Sequence, residues 1–311
     1  MRRAALLLAA ALGFAAPARA GDSVLAAQRP TFAIATALAK GTGLDIQAAP
    51  PALPGMARLP RALARPDPAL DKLMAGATAT VGIESVWPED PLFREARARN
   101  IKVVRIDAAR SLDKAGTSVA LIGQPASDVP WRKAERGGGS SPYVWLSTAN
   151  AIRMAAIVAA DLKRLAPADA ATVDANLAAF TGDMQALRAA TETRLGGAPD
   201  PRVFALTDRF VYLTNELGID VEGYFLEEDV RWTPSDLERF TQFLKDRQVR
   251  VVIHHWQPAE PIRRAVAEGG ARLVVLDDGD AGAQASRPAD PNAWRDALRA
   301  DLDALAGALL E

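Results

Sequence analysis

Residues 249–278 read VRVVIHHWQPAEPIRRAVAEGGARLVVLDD. Val249 to Ile253 is a short β-branched run that predicts a strand ending at His254-His255. Glu260 to Glu268 follows as a helix, Gly269-Gly270 stops it, and Arg272 to Leu276 predicts a further strand ending at Asp277-Asp278. Strands alternating with helices argue for an α/β architecture with mainly parallel sheets. In open sheets of that kind ligands bind beyond the carboxyl ends of the strands. Both strand ends carry side chains with chemistry, two imidazoles and two carboxylates.

The same alternation extends outward from this unit. Val203 to Leu206 predicts another strand, followed by Thr207, Asp208 and Arg209. A helix starts at Thr233, whose hydroxyl can cap it, with Pro234 at the first helical position and Asp236 in the first turn. Leu237, Phe240 and Leu244 then share one face. In the first half, Thr78–Ile83 and Ile101–Ile106 are expected strands, with a helix over Asp90–Asn100 between them. Val173, Leu177, Phe180, Met184 and Leu187 mark one long helix over residues 168–195, which Gly196-Gly197 and Pro199 end. At 1.5 Å per residue it spans about 42 Å, roughly a domain diameter. The chain thus reads as two α/β lobes, residues 21–167 and 196–311, joined by one long rigid helix.

Arg2 and Arg3, an apolar run from Ala4 to Ala16 and Ala18-Arg19-Ala20 form the three-part pattern of a secretory signal over residues 1–20. Removing Arg2, Arg3 and Arg19 from 37 basic residues leaves 34 against 38 acidic ones, a formal charge of −4. That balance argues against nucleic-acid or membrane-surface binding. No later stretch is apolar enough to span a bilayer, so a soluble periplasmic protein is expected after cleavage. The chain has no cysteine, which excludes disulfides and thiolate chemistry. No serine motif accompanies the two histidines, and an enzyme is not expected. Gly137-Gly138-Gly139-Ser140 lacks the spacing of a phosphate loop and reads as a flexible connection. Met154 and Met184 fit apolar helical faces, and Trp145 reads as core.

Several segments carry a likeness to a known family: SPYVWLSTANAIRMA (141–155), DANLAAFTGDMQAL (174–187), LTDRFVYLTNELGIDVEG (206–223), EEDVRWTPSDLERF (227–240) and VRVVIHHWQPAEPIRRAV (249–266). Together they resemble the zinc and manganese type of ABC-transporter solute-binding protein. The resemblance implies two α/β lobes with a metal held between them at four ligand positions. The first is a histidine expected between Met56 and Leu63, where this chain has none. Tyr143 stands at the second, where the family has histidine. Thr207, beside Asp208, falls on the third, and Asp277 meets the fourth. A phenol and a hydroxyl are poor zinc ligands, so zinc binding by the usual site is not expected.

The resemblance implies capture of a solute in the cleft and delivery to an ABC-type membrane permease, with the chain as a monomer. The expected cargo is a divalent transition metal held by altered ligands, a metal complex or a small polar solute. Tyr143, Thr207, Asp208, His254, His255 and Asp277 are the expected ligand-binding residues, with Asp277, Asp208 and His255 as metal donors. The rival expectation is an envelope protein-interaction module that kept the fold and lost solute capture.

Overall fold

The computed structural model describes residues 22–113, 116–133, 137–280 and 289–311, so the expected signal over residues 1–20 lies outside it. The first lobe opens with β1 (Ser23–Ala26), α1 (Arg29–Ala39) and β2 (Asp45–Ala48). It continues through α2 (Leu59–Ala64), α3 (Pro68–Ala75), β3 (Ala79–Gly82), α4 (Leu92–Arg99) and β4 (Val104–Asp107). The four strands pair in the order β2-β1-β3-β4, all parallel. Val24, Leu25 and Ala26 of β1 and all of β3 are buried, as the central strands of a parallel sheet covered on both faces must be. Local chemistry sets the helix starts. The Asp67 carboxylate accepts the free N–H groups of Ala69 and Leu70 at 2.9 and 3.2 Å, and Pro68 takes the first position of α3.

Two helices follow the first sheet. In α5 (Thr148–Leu165) the first turn is capped by the Ser147 hydroxyl, which accepts the Asn150 N–H at 3.1 Å. Glu216 reaches over from the second lobe and accepts the Thr148 and Ala149 N–H groups at 2.7 and 2.8 Å, a carboxylate at the positive end of the helix. The long helix is α6 (Ala170–Leu195), preceded by a 3-10 turn at Pro167–Asp169. Val173, Phe180, Met184 and Leu187 are buried along it and Leu177 is partly buried, the stripe read from the sequence.

The second lobe repeats the plan of the first. Its elements are β5 (Arg202–Ala205), α7 (Val211–Glu216), β6 (Asp220–Tyr224), α8 (Pro234–Arg247), β7 (Val251–His254), α9 (Glu260–Glu268) and β8 (Arg272–Val275). The sheet order is β6-β5-β7-β8, again all parallel. At the start of α8 the Thr233 hydroxyl accepts the Asp236 N–H at 3.2 Å while Asp236 accepts the Thr233 N–H at 3.0 Å, a reciprocal capping box. Finally α10 (Ala293–Leu310) returns to pack on α1, α6 and β8. Trp294 of α10 stacks on Phe180 of α6 with ring centroids 6.4 Å apart.

One apolar core runs from Val24, Val81 and Ile106 of the first sheet, through α1, α5, α6 and α10, to Val203, Val251 and Ile253 of the second. Burying one large aliphatic side chain contributes about 1.5–3 kcal/mol, so this shared layer fastens the lobes firmly. Met154, Met184 and Trp145 lie inside it, as expected of core residues. Among the described residues no helix is long and apolar enough to cross a membrane.

Candidate functional site

The carboxyl ends of β5, β7 and β8 deliver Thr207-Asp208-Arg209, His254-His255-Trp256 and Asp277-Asp278-Gly279-Asp280. Arg209 is the centre of the group. Its guanidinium pairs with the Asp278 carboxylate and lies 5.1 Å from the centroid of the Tyr143 ring. Burial works against its charge, but Asp278, Tyr143 and Asp280 more than offset that, so it stays a cation. The Tyr143 ring also meets Trp145 edge to face at 5.5 Å, and the Trp145 indole N–H donates to the Asp278 carbonyl at 2.8 Å.

The turn after β8 is internally braced. Gly279 N–H donates to Asp277 at 2.9 Å and Asp280 N–H to Asp278 at 2.8 Å. Gly279 has φ +72°, and a Cβ there would lie 2.8 Å from the Trp294 ring, so both conformation and space demand glycine. Two contacts tie the turn to the first lobe. The Met56 N–H donates to Asp280 at 2.8 Å, and Arg29 comes within 3.9 Å of Asp277. Where the family resemblance called for a first-lobe histidine, this chain thus offers a backbone N–H to a carboxylate.

Burial pushes the Asp280 carboxyl up to about 6, with the neighbouring Asp278 adding to the rise. Asp301 of α10 accepts the Asp277 N–H on both oxygens, at 3.0 and 2.9 Å, and burial pushes its carboxyl up to about 8. Burial holds the imidazoles neutral, lowering His254 to about 4 and His255 to about 2, and Arg209 depresses both further. Burial likewise pushes the Tyr143 phenol up.

The expected site residues fare differently. Tyr143 is buried, with its ring against Arg209. Thr207 is buried and its hydroxyl accepts the Arg209 N–H at 3.4 Å. The Asp208 carboxylate is engaged by the Gln124 amide, and Asp277 is a third exposed and turned toward Arg29. His254 and His255 stand together, since β7 ends at His254 and the chain bends at once. The expected donor set of Asp277, Asp208 and His255 is not assembled as one cluster. Among the described residues, no three His, Cys, Asp or Glu side chains are placed to hold a metal ion. The physical reason is that amide and guanidinium partners already engage these carboxylates.

Sequence reasoning missed Arg29, Arg209 and Asp280 as site residues. Arg209 carried a signal, because a charged residue directly after Thr207-Asp208 stands at the same strand end.

A family model described as the periplasmic component A of a zinc-uptake complex (ZnuA) matches residues 75–308. Solved structures share the fold. A mutant of FpvC from Pseudomonas aeruginosa aligns with TM-score 0.72 and 21% identity, covering 92% of this chain and 98% of that one. FpvC from the same organism in complex with Mn2+ gives 0.68 and 20%, covering 93% and 98%. A crystal structure of ZnuA gives 0.67 and 18%, covering 93% and 99%. None of the curated proteins matches the chain. The rival expectation of a non-transport module draws no support from these likenesses.

Proposed function

Because the chain belongs to the family of periplasmic zinc-uptake components, we propose that it is the solute-capturing component of an ABC-type importer whose cargo is a metal complex. The complex enters the cleft with its own coordinating groups. One observation carries this reading, the Arg209 guanidinium held over the Tyr143 ring and paired with Asp278. A bare divalent ion finds no ready donor set here, because the nearby carboxylates are already engaged, Asp278 by Arg209, Asp208 by Gln124 and Asp277 toward Arg29. A chelated metal brings its own donors and presents an anionic edge to Arg209 and Arg29. Asp277, Asp208, Thr207 and Tyr143 then shape and hydrogen-bond the complex, and His254 and His255 border it as neutral imidazoles. The stiff shared core keeps closure small, and delivery of the monomeric chain to a membrane permease completes the cycle.

Thermal-shift titration of the metal-stripped chain tests the proposal, because a ligand that binds only the native state raises its apparent stability. Ferric citrate is expected to raise the melting temperature and zinc or manganese chloride to leave it unchanged, with Arg209→Met abolishing the response. A shift with a bare divalent ion that survives Arg209→Met would overturn the reading.

A further inference from the structure

We infer that His254 and His255, with the indole of Trp256, form a separate site for a soft monovalent metal ion, Cu(I) or its analogue Ag(I). This goes beyond the cargo reading and stands without it. Adjacent strand residues point to opposite faces, but β7 ends at His254 and the chain bends at His255. The two imidazoles consequently pack edge to face, ring centroids 5.0 Å apart and planes at 85°. Both Nδ1 atoms are buried and have no hydrogen-bond partner, and His254 is 2% exposed. A buried polar atom without a partner is costly and asks for an explanation. Two such atoms on vicinal side chains supply one.

The chemistry of the pair selects the ion. A neutral imidazole nitrogen with no hydrogen-bond partner has its lone pair free for a metal ion, and both rings carry a buried Nδ1 of that kind. Zinc wants four ligands, and among the described residues no third His, Cys, Asp or Glu joins to make a set. Cuprous and silver ions, with filled d shells and single charge, accept two nitrogen donors. The nearby guanidinium of Arg209 opposes a divalent ion twice as strongly as a monovalent one. Trp256 packs its ring against both imidazoles, with centroids 4.1 Å from His254 and 4.0 Å from His255. Its indole N–H donates to Asp229 at 3.2 Å, which fixes the ring, and the side chain is 40% exposed.

Ag(I) titration of the metal-stripped chain, and Cu(I) under nitrogen in competition with bicinchoninate, test the assignment. One ion per chain is expected, bound at least 100-fold more weakly by the His254→Gln/His255→Gln double variant and about 10-fold more weakly by His255→Gln alone. The single change at the partly exposed position guards against a double variant that fails to fold. Nitrogen-15 spectra should show Ag(I) moving the Nδ1 resonances of both histidines. Arg209→Met, which would abolish the cargo response, should tighten Ag(I) binding several-fold, so the two readings fail separately. No Ag(I) or Cu(I) binding by the folded chain, equal binding by His255→Gln, or movement of the Nε2 resonances alone would overturn the site.

Discussion

The two sheets are built to one plan, with orders β2-β1-β3-β4 and β6-β5-β7-β8, yet their carboxyl ends are used in opposite ways. In the first lobe Asp90 accepts the Gln28 amide at 2.8 Å and the Ile83 and Leu92 N–H groups at 3.1 Å each. Asp107 accepts the Ser85 N–H and hydroxyl and the Ala109 N–H at 2.9 to 3.0 Å. These carboxylates are committed to holding their own loops. Glu84 is the exception, with one buried oxygen that has no hydrogen bond and only Arg105 at 3.8 Å, and a carboxyl that burial pushes up to about 7. In the second lobe the strand ends carry a guanidinium paired with one carboxylate and two imidazoles with bare Nδ1 atoms. A sheet end whose polar groups already satisfy each other holds architecture, and one with unsatisfied groups is open to a ligand.

The largest effect should come from breaking the committed end. Asp90→Ala strands an amide and two backbone donors in a buried site, and a loss of about 3 kcal/mol is expected. Urea denaturation checks it. A loss below about 1 kcal/mol would mean that the first sheet end is no more committed than the second.

The second prediction concerns pH. The Asp301 carboxyl is pushed up to about 8 by burial, so between about pH 4 and 8 the folded chain holds a proton that the unfolded chain has released. Stability from this group is therefore greatest at low pH and falls as pH rises through that window. His254 and His255 act in the opposite sense, since their depressed values withdraw stability as pH falls below the ordinary histidine range. Asp301→Asn should flatten the alkaline slope in urea midpoints measured at pH 5, 6.5 and 8. An unchanged slope would place its source elsewhere.

Sequence legibility followed the same divide. The unit from Val249 to Asp278 was readable because β-branched runs, a helical stretch and a Gly-Gly stop all agree, and the structure has β7, α9 and β8 there. The helix Asp90–Asn100 was readable but is shorter, Leu92–Arg99, and the strand expected over Ile101–Ile106 runs instead over Val104–Asp107. By contrast β1 and β2 were not read from the sequence: Asp45–Ala48 is polar with one β-branched residue, and Ser23–Ala26 stands directly after the expected signal. The site was legible at the level of strand ends. Its pairing was not, because nothing local says that Arg209 reaches Asp278, 69 positions away, or that Met56 reaches Asp280 across the lobes.

The smallest expected effect probes the open end directly. Tyr143 packs its ring against Trp145 and beneath Arg209, and phenylalanine keeps both contacts while losing only the hydroxyl. Tyr143→Phe should therefore change stability by less than about 0.5 kcal/mol, whereas Tyr143→Ala, which leaves a cavity, should cost about 3 kcal/mol. Differential scanning calorimetry of the two variants separates ring from hydroxyl. A ring that matters and a hydroxyl that does not would mean that the phenol oxygen holds no part of the fold and is free to meet a cargo. If Tyr143→Phe instead cost about 2 kcal/mol, the hydroxyl would be as firmly committed as Asp90, and the contrast between the two sheet ends would narrow to Arg209 and the histidine pair.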